Sequence, residues 1–583
     1  MSVKRISQSK FSLAMLAASA AALSGAVAGA ADLTAPRVDA AVGAIVARTT
    51  QSQVYIVQGS SAEAVAARVR TVGGKVVSEL PLIRGVGAEL TASQAESLRA
   101  AGDLRLQADR QIKVSANPVV KNANDKAETF YPTLVRANEL HALGIKGTGI
   151  SIAVLDTGLA ASTEHDLSAR VQASADFVGS AAGTPVTGDP SGHGTHVASI
   201  AASGVLPKHS TKHHGIAPSA GLVVVRAFDA AGLGSYLDVI EGINWVVANR
   251  AQHNIRVLNL SFSAPPQSHY WDDPLNQAVM AAWKAGIVVV ASAGNSGPQP
   301  MTIGVPGNVP YVITVGAMTD SYTPTNLADD RVASFSAAGP THEGFVKPDV
   351  IAPGGHMAAA IPTTSALVTA FGAQMPTQGG LLQITGTSQA AGVTSGIVAL
   401  MLQANPALTP DGVKCRLMAA AKPSVKSNGT LAFSVFQQGA GLVDAKRAVD
   451  STATGCANVG LNVTADLNGT AHFGGPANKN AAGQYYVMDM YGNAWGQPAS
   501  SDGYTWSQGY TWSQGYTWSQ GYTWSQGYTW SQGYTWSQGY TWSQGYTWSQ
   551  GYTWSQSLDW SGAPLVNSSL TDIMSINAWV PQQ

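Results

Sequence analysis

From Gly147 to about Val449, runs of consecutive apolar residues alternate with stretches of helical spacing, and nothing else in the chain restricts its fold as strongly. ISIAVLDTG, LVVVRAFD, VLNLSF, IVVVASAGN and VITVGAM read as strands without polar alternation, whereas YLDVIEGINWVVANRAQ and LNQAVMAAWKAG place apolar residues at helical intervals. A strand that is apolar on both sides has no face to offer water, so it belongs in a parallel sheet covered by helices. The expected class is α/β, with reactive groups gathered beyond the carboxyl ends of the strands.

At 583 residues the chain exceeds one domain of about 100–200 residues and should divide into several parts. Charged residues make up 11% and the formal net charge is −1, so there is no basic field for nucleic acid or an anionic membrane. At the N-terminus, Lys4, Arg5 and Lys10 precede an apolar run from Phe11 to Ala31 in which Ala28 and Ala30 fit a small-residue cleavage pattern. Residues 1–31 are therefore expected to be a secretory signal, the alternative being an uncleaved anchor. No later run reaches the ~18–20 apolar residues of a membrane span, so the mature chain is expected outside the cell or at its surface. In that compartment Cys415 and Cys456 are either one disulfide or two separate buried thiols; sequence alone does not give their separation.

Between Gln53 and Val114 the pattern reads strand, helix, two strands, helix, strand, the last of them LRLQADRQIKV. This α+β unit is assigned to residues 32–125, the catalytic part to 126–451, and a linker or β region to 452–502. From Gly503 to Gln556 nine copies of GYTWSQ follow without a substitution, holding nine of the 15 tryptophans, and a tail occupies 557–583. In an extended chain a period of six puts Tyr, Trp and Gln on one face. Such a ladder suits a spacer, contact with glycans or a cell surface, or self-assembly as β-structure.

Serine-based hydrolysis of an amide needs a base, a carboxylate that orients it, and donors for the oxyanion. VLDTG sets Asp156 at the end of an apolar strand, GHGTHVASIAA sets His193 at a helix start, and GTSQAAG presents Ser388 at the turn into AGVTSGIVALML. Asn295 ends the strand of ASAGNSGP, with a side-chain amide able to donate. In that order, with DTG, HGTH and GTS all present, the chain resembles the subtilase family from about Tyr131 to Val449. The resemblance implies a subtilisin-like serine endopeptidase in which Asp156 orients, His193 is general base and then acid, Ser388 is the nucleophile, and Asn295 joins the Ser388 N–H in the oxyanion hole. It implies that the α+β unit is an inhibitory prosegment removed by self-cleavage between about Val114 and Thr129; an unrelated N-terminal domain is the alternative. Substrates would be proteins or peptides, contacted by Ser261, Phe262, Ser263, Ala291 and Gly294. The family's chemistry needs no cofactor; structural calcium is common in it, and no loop here has calcium-ligand spacing, so that point stays open.

Several positions depart from the family. Gln389, Ala390, Ala391, Gly392 and Val393 replace its usual Met-Ala-Ala-Pro-His, and Gly392 should cost the helix about 1 kcal/mol relative to Ala. Ser263 stands where the family has glycine, which should narrow the peptide groove. His196 reads as a packed neighbour, and His209, His213 and His214 as an exposed polar loop in preference to a metal site. A lipase is disfavoured, because Gly-Thr-Ser-Gln-Ala lacks the second glycine of G-x-S-x-G and the chain order is Asp, His, Ser. A surface-binding protein built on the aromatic repeats, and an inactive homologue, are the remaining alternatives.

Overall fold

The computed structural model describes residues 52–114, 117–118, 130–161, 166–179, 183–205, 213–323, 326, 328–371, 381–428, 430–480, 483–488 and 494–495, with short strand pieces between 534 and 545. The signal-like segment 1–31, most of the linker 115–129, His209 and nearly all of the repeat block lie outside the described residues.

The N-terminal unit comprises β1 (Ser52–Gln58), β2 (Lys75–Leu80), β3 (Gly85–Thr91) and β4 (Arg105–Ala108), in the antiparallel order β2-β3-β1-β4. Helices Ala62–Thr71 and Ala92–Ala100 complete it. Both helices start where a side chain satisfies the free N–H groups of the first turn: Ser61 accepts from Ala64, and Thr91 forms a reciprocal capping box with Gln94. Tyr55, Val57, Val65, Val69, Val86, Leu90 and Leu98 form a core separate from that of the main body.

The stretch expected as one strand, LRLQADRQIKV, breaks after Ala108. Asp109 accepts from the Leu237 N–H at 3.0 Å, and Arg110 pairs with buried Asp273 at 2.9 Å while lying 4.2 Å from the centre of the Tyr236 ring. These contacts with the body pull the chain away from β4, and it continues as β5 (Gln111–Val114) and β6 (Asn117–Pro118).

The body is built on β7 (Ser151–Asp156), β8 (Val171–Asp176), β9 (Gly221–Arg226), β10 (Leu233–Ser235), β11 (Ile255–Leu260), β12 (Phe262–Ser263), β13 (Val288–Ser292), β14 (Ile313–Thr319), β15 (Arg331–Val332), β16 (Val350–Pro353), β17 (Met357–Ala360) and β18 (Leu381–Thr385). Eight of these form one sheet in the order β15-β14-β13-β11-β7-β9-β8, with β16 against β14; only the β14–β15 pair is antiparallel. Every residue of β7, β13 and β14 is buried, as apolar strands covered on both faces must be. Each fully buried Ile, Val or Leu there contributes about 1.5–3 kcal/mol. Helix Thr387–Ala404 is buried from Thr387 to Leu402 and packs on helix His193–Ala202.

The body does not close at Val449. Cys415 and Cys456 are bonded, with Cα atoms 5.0 Å apart, and helix Val463–Asn468 packs against helix Pro274–Lys284. Asp466 accepts from the Tyr270 hydroxyl at 2.8 Å and the Tyr311 hydroxyl at 2.5 Å, and Ala477 enters the main core. Residues 452–479, within the 452–502 stretch expected as a linker or β region, thus pack on the body, and Ala477–Lys479 is a strand paired with Tyr485–Met488. Their few apolar residues, spread among Gly, Asn and Thr, hid this in the sequence.

Candidate active site

β7 lies in the middle of the sheet, and its last residue is Asp156. Helix His193–Ala202 begins after Gly192, whose φ of +91° turns the chain through a conformation that side chains rarely adopt. His193 Nδ1 meets Asp156 Oδ1 at 2.7 Å, both side chains being wholly buried. The Thr157 N–H also donates to Asp156 Oδ1, at 2.8 Å. Because a carboxylate holds Nδ1, the neutral imidazole carries its proton there and has Nε2 as its basic atom.

Sequence reasoning did not single out Asp189, yet this buried carboxylate fastens the two elements together. It accepts from the Thr157 hydroxyl at 2.7 Å, the Gly192 N–H at 2.8 Å, and the Thr195 N–H and hydroxyl, each at 2.7 Å. The Gly194 N–H in turn donates to Thr157 Oγ1 at 2.8 Å. Its position four residues before His193 and a helix start was the available signal, since a carboxylate suits the free N–H groups of a first helical turn.

Ser388 is the second residue of helix Thr387–Ala404, after β18. Its hydroxyl donates to the Ser261 carbonyl at 2.9 Å, while the Ser261 hydroxyl donates to the Ser388 carbonyl at 3.1 Å. Asn259 of β11 donates to Ser261 Oγ at 2.8 Å and accepts from Ser395 at 2.9 Å, so strand and helix are tied both beside Ser388 and one to two turns further along the helix. Asn295 turns Oδ1 to the Thr387 N–H and hydroxyl, and its Nδ2 is buried without a partner among the described residues. A buried amide donor left unpaired is costly, and it has meaning where an acceptor arrives only during reaction.

Gly392 has a different role from the one expected. A Cβ there would lie 3.2 Å from the Val197 carbonyl, and one on Gly396 would press on Ile216 and the Ala201 carbonyl. The glycines let the Ser388 helix settle onto the His193 helix, and close packing offsets the lost helix propensity.

Of the proposed peptide-contacting residues, Ser261 and Ser263 flank Phe262, and Phe262 and Ser263 form β12. The Phe262 side chain is buried against Phe228, ring centres 5.1 Å apart, so only its backbone faces outward. Ala291 is buried within β13, and Gly294 donates its N–H to Thr387 Oγ1 at 3.2 Å. β5 runs antiparallel between β10 and β12, pairing Lys113 with Leu233 and Ser263, and Val114 with Phe262. Beyond it, β6 pairs Asn117 with Thr385. Ser388 itself is wholly buried.

Residues 147–441 match the family profile of the peptidase S8, or subtilase, family. The chain is 35% identical to the serine protease AprX of Bacillus subtilis (strain 168) over 348 residues, 58% of this chain and 74% of that protein. It is 32% identical to subtilisin DY of Bacillus licheniformis over 317 residues, 54% of this chain and 96% of the relative. This chain belongs to the subtilase family. Subtilases are serine endopeptidases, which need no cofactor for catalysis. Among solved structures, fervidolysin from Fervidobacterium pennivorans, described as a keratinolytic enzyme related to subtilisin, aligns with this subtilase at a TM-score of 0.54 and 26% identity. The alignment covers 69% of this chain and 61% of fervidolysin.

Two histidine readings can be placed in this subtilase. His196 donates from Nε2 to the Met357 and Leu382 carbonyls at 3.1 and 3.0 Å, and burial pushes its pKa down to about 3, so it stays neutral and structural. His213 and His214 are half-buried, not exposed as expected: His213 bonds the Gly204 carbonyl at 2.9 Å and meets His141 edge-on. Among the described residues no group of three His, Cys, Asp or Glu side chains is disposed to hold a metal, and no helix is long and apolar enough to cross a membrane.

Proposed function

We propose that this subtilase cuts peptide bonds with Ser388 as nucleophile, His193 as base and then acid, Asp156 as orienting carboxylate and Asn295 as oxyanion donor. The observation that carries the reading is the buried His193–Asp156 bond of 2.7 Å, which commits Nδ1 and makes Nε2 the proton acceptor. Ser388 Oγ attacks the scissile carbonyl and its proton passes to His193 Nε2. Asn295 Nδ2 and the Ser388 N–H hold the resulting oxyanion; collapse releases the amine, which takes the proton from His193 and leaves an acyl-enzyme. Water then repeats the sequence and frees the acid. Asp189 is a positioning residue, fixing His193 through Thr157, Gly192 and Thr195.

The N-terminal unit is read as an intramolecular inhibitor. β5 occupies the edge between β10 and β12 that an extended substrate would use, and Ser388 beneath it has no exposure. The strand pairings run up to Val114 on one side of Ser388 and resume at Asn117 on the other, so self-cleavage is assigned to the Val114–Asn117 span, at the start of the window expected from sequence. The signal-like N-terminus supports export of this precursor, and the GYTWSQ block is read as a non-catalytic spacer, with surface or glycan attachment as its second role. The test is expression of the wild type and Ser388→Ala with the signal removed, followed by mass spectrometry. The wild type should begin at Ala116 or Asn117, and the variant should remain whole. Normal processing of the variant by itself would remove both the nucleophile and the self-cleavage assignments.

A further inference from the structure

Beside Asn295 three backbone segments converge. Ala264, next to Ser263, exchanges both hydrogen bonds with Val305, at 3.1 and 2.8 Å, and the Gly304 N–H donates to the Ala293 carbonyl at 3.2 Å. Residues 261–264, 291–295 and 303–305 therefore surround one small space adjoining Ser388. Two of its walls are glycine, and a third residue projects into the gap they leave. A Cβ on Gly294 would lie 2.9 Å from Ser263 Oγ, and one on Gly304 would collide with that same oxygen. Ser263 is 4% exposed with β5 paired across it, and its Oγ is the atom nearest to both glycine positions. Ala293, Ile303 and Ala337 form a small apolar cluster of their own beside these segments.

The pairing of β5 shows how a peptide would reach this slot. Val114 lies opposite Phe262 and Lys113 opposite Ser263. Side chains alternate along an extended strand, so the residue after the one opposite Phe262 returns to the face of Ser263, next to the nucleophile. We propose that Ser263 sets the acyl-side specificity of the enzyme, restricting the residue whose carbonyl is attacked to Gly, Ala or Ser and excluding aromatic and long aliphatic side chains. The inference rests on the catalytic reading above. The chain's own cleavage span agrees with it: between Val114 and Asn117 stand Ser115 and Ala116, both small. A pocket short by even one methylene discriminates by about 10–200-fold.

The experiment uses the self-processed enzyme and a set of chromogenic peptide anilides that differ only in the acyl-side residue, Ala, Ser, Leu or Phe. The expected result is a kcat/KM for Ala and Ser at least tenfold above that for Phe, with Ser263→Gly raising the Phe value at least tenfold. Ser263→Ala, which removes only the oxygen that faces both glycines, should fall between, and it decides the matter if the glycine variant does not fold. A parent enzyme that prefers Phe or Leu, or a ratio that neither variant moves, overturns the proposal. Ser388→Ala run in parallel keeps the two readings apart: rates that persist in it overturn the catalytic assignment, not the pocket.

Discussion

Asn295 gives its side-chain oxygen to Thr387, 3.0 Å from the backbone N–H and 2.8 Å from the hydroxyl. A backbone N–H can only donate, so this contact fixes which end of the amide is oxygen and leaves nitrogen facing the site. Asn295→Ala should therefore lower kcat by about 10²–10³ with KM nearly unchanged, because the lost donor acts on charge that develops only in the transition state. Steady-state kinetics on a soluble peptide decide it: a raised KM with unchanged kcat takes Asn295 out of the oxyanion hole.

Asp189 offers a second kinetic test, on a residue that touches no substrate. Asp189→Asn replaces an acceptor with a donor opposite N–H or O–H groups that have nowhere else to point, and the His193 helix should shift. The expected loss is about 10²-fold in kcat with little change in KM, the usual consequence of misplacing a catalytic group by an ångström or so. The pH profile should flatten on its acidic limb as His193 loses its fixed orientation. A variant with lower thermal stability and unaltered kcat and pH profile would show that Asp189 only holds the fold.

The C-terminal boundary leads to a contrast between two deletions. Removing residues 451–583 takes away Cys456, the partner of Cys415, and Asp466, which both Tyr270 and Tyr311 contact, so this form should fail to accumulate as folded enzyme. Unpaired buried polar groups cost about 1–3 kcal/mol each, before the lost disulfide is counted. Deletion of 503–556 alone should leave soluble-peptide hydrolysis within a few-fold of full length while changing retention on cells or insoluble substrate. Expression yield, melting temperature and peptide rates of the two forms test the contrast; a folded, active truncation at 450 refutes it.

Burial, with Asp109 adding repulsion, pushes the Asp238 carboxyl up to about 7 from its usual 3.8. The folded chain therefore keeps a proton that the unfolded chain releases above about pH 4. Stability contributed at this position is highest below that pH, falls as pH rises toward 7, and is level above. Asp238→Asn, which retains an acceptor for the Ser235 N–H, should remove this slope and stabilise the folded chain at pH 8 by on the order of a few kcal/mol relative to pH 4. Urea unfolding of the Ser388→Ala background at several pH values, where self-digestion is absent, measures it. Parallel slopes in both proteins would rule Asp238 out as the source.

Much of the arrangement could be read along the chain because the relevant signals are local. Asp156, His193 and Ser388 each sit in a short motif, and the uninterrupted apolar runs of β7, β13 and β14 demand a sheet buried on both faces. The N-terminal unit was recognisable from alternating periodicity and from the helix starts at Ser61 and Thr91. Asp189 escaped notice because one Asp in a turn looks like any other, and its four donors come from positions up to 32 residues away in sequence. Gly392 is a related case: its propensity cost is visible locally, whereas the Val197 carbonyl that would lie 3.2 Å from a Cβ there belongs to another helix.

Order of residues, strand character and helix starts are properties of contiguous segments, and the amino-acid sequence settled them. Tertiary packing alone decided which carboxylate holds the His193 helix, which end of the Asn295 amide faces the site, that Cys415 meets Cys456, and that residues 452–479 join the body. It also decided that Ser263 Oγ is the atom nearest to both Gly294 and Gly304. These outcomes depend on distances between groups remote in the chain, and a backbone hydrogen bond or a van der Waals contact is won or lost within less than an ångström, a scale that periodicity and motif spacing do not encode.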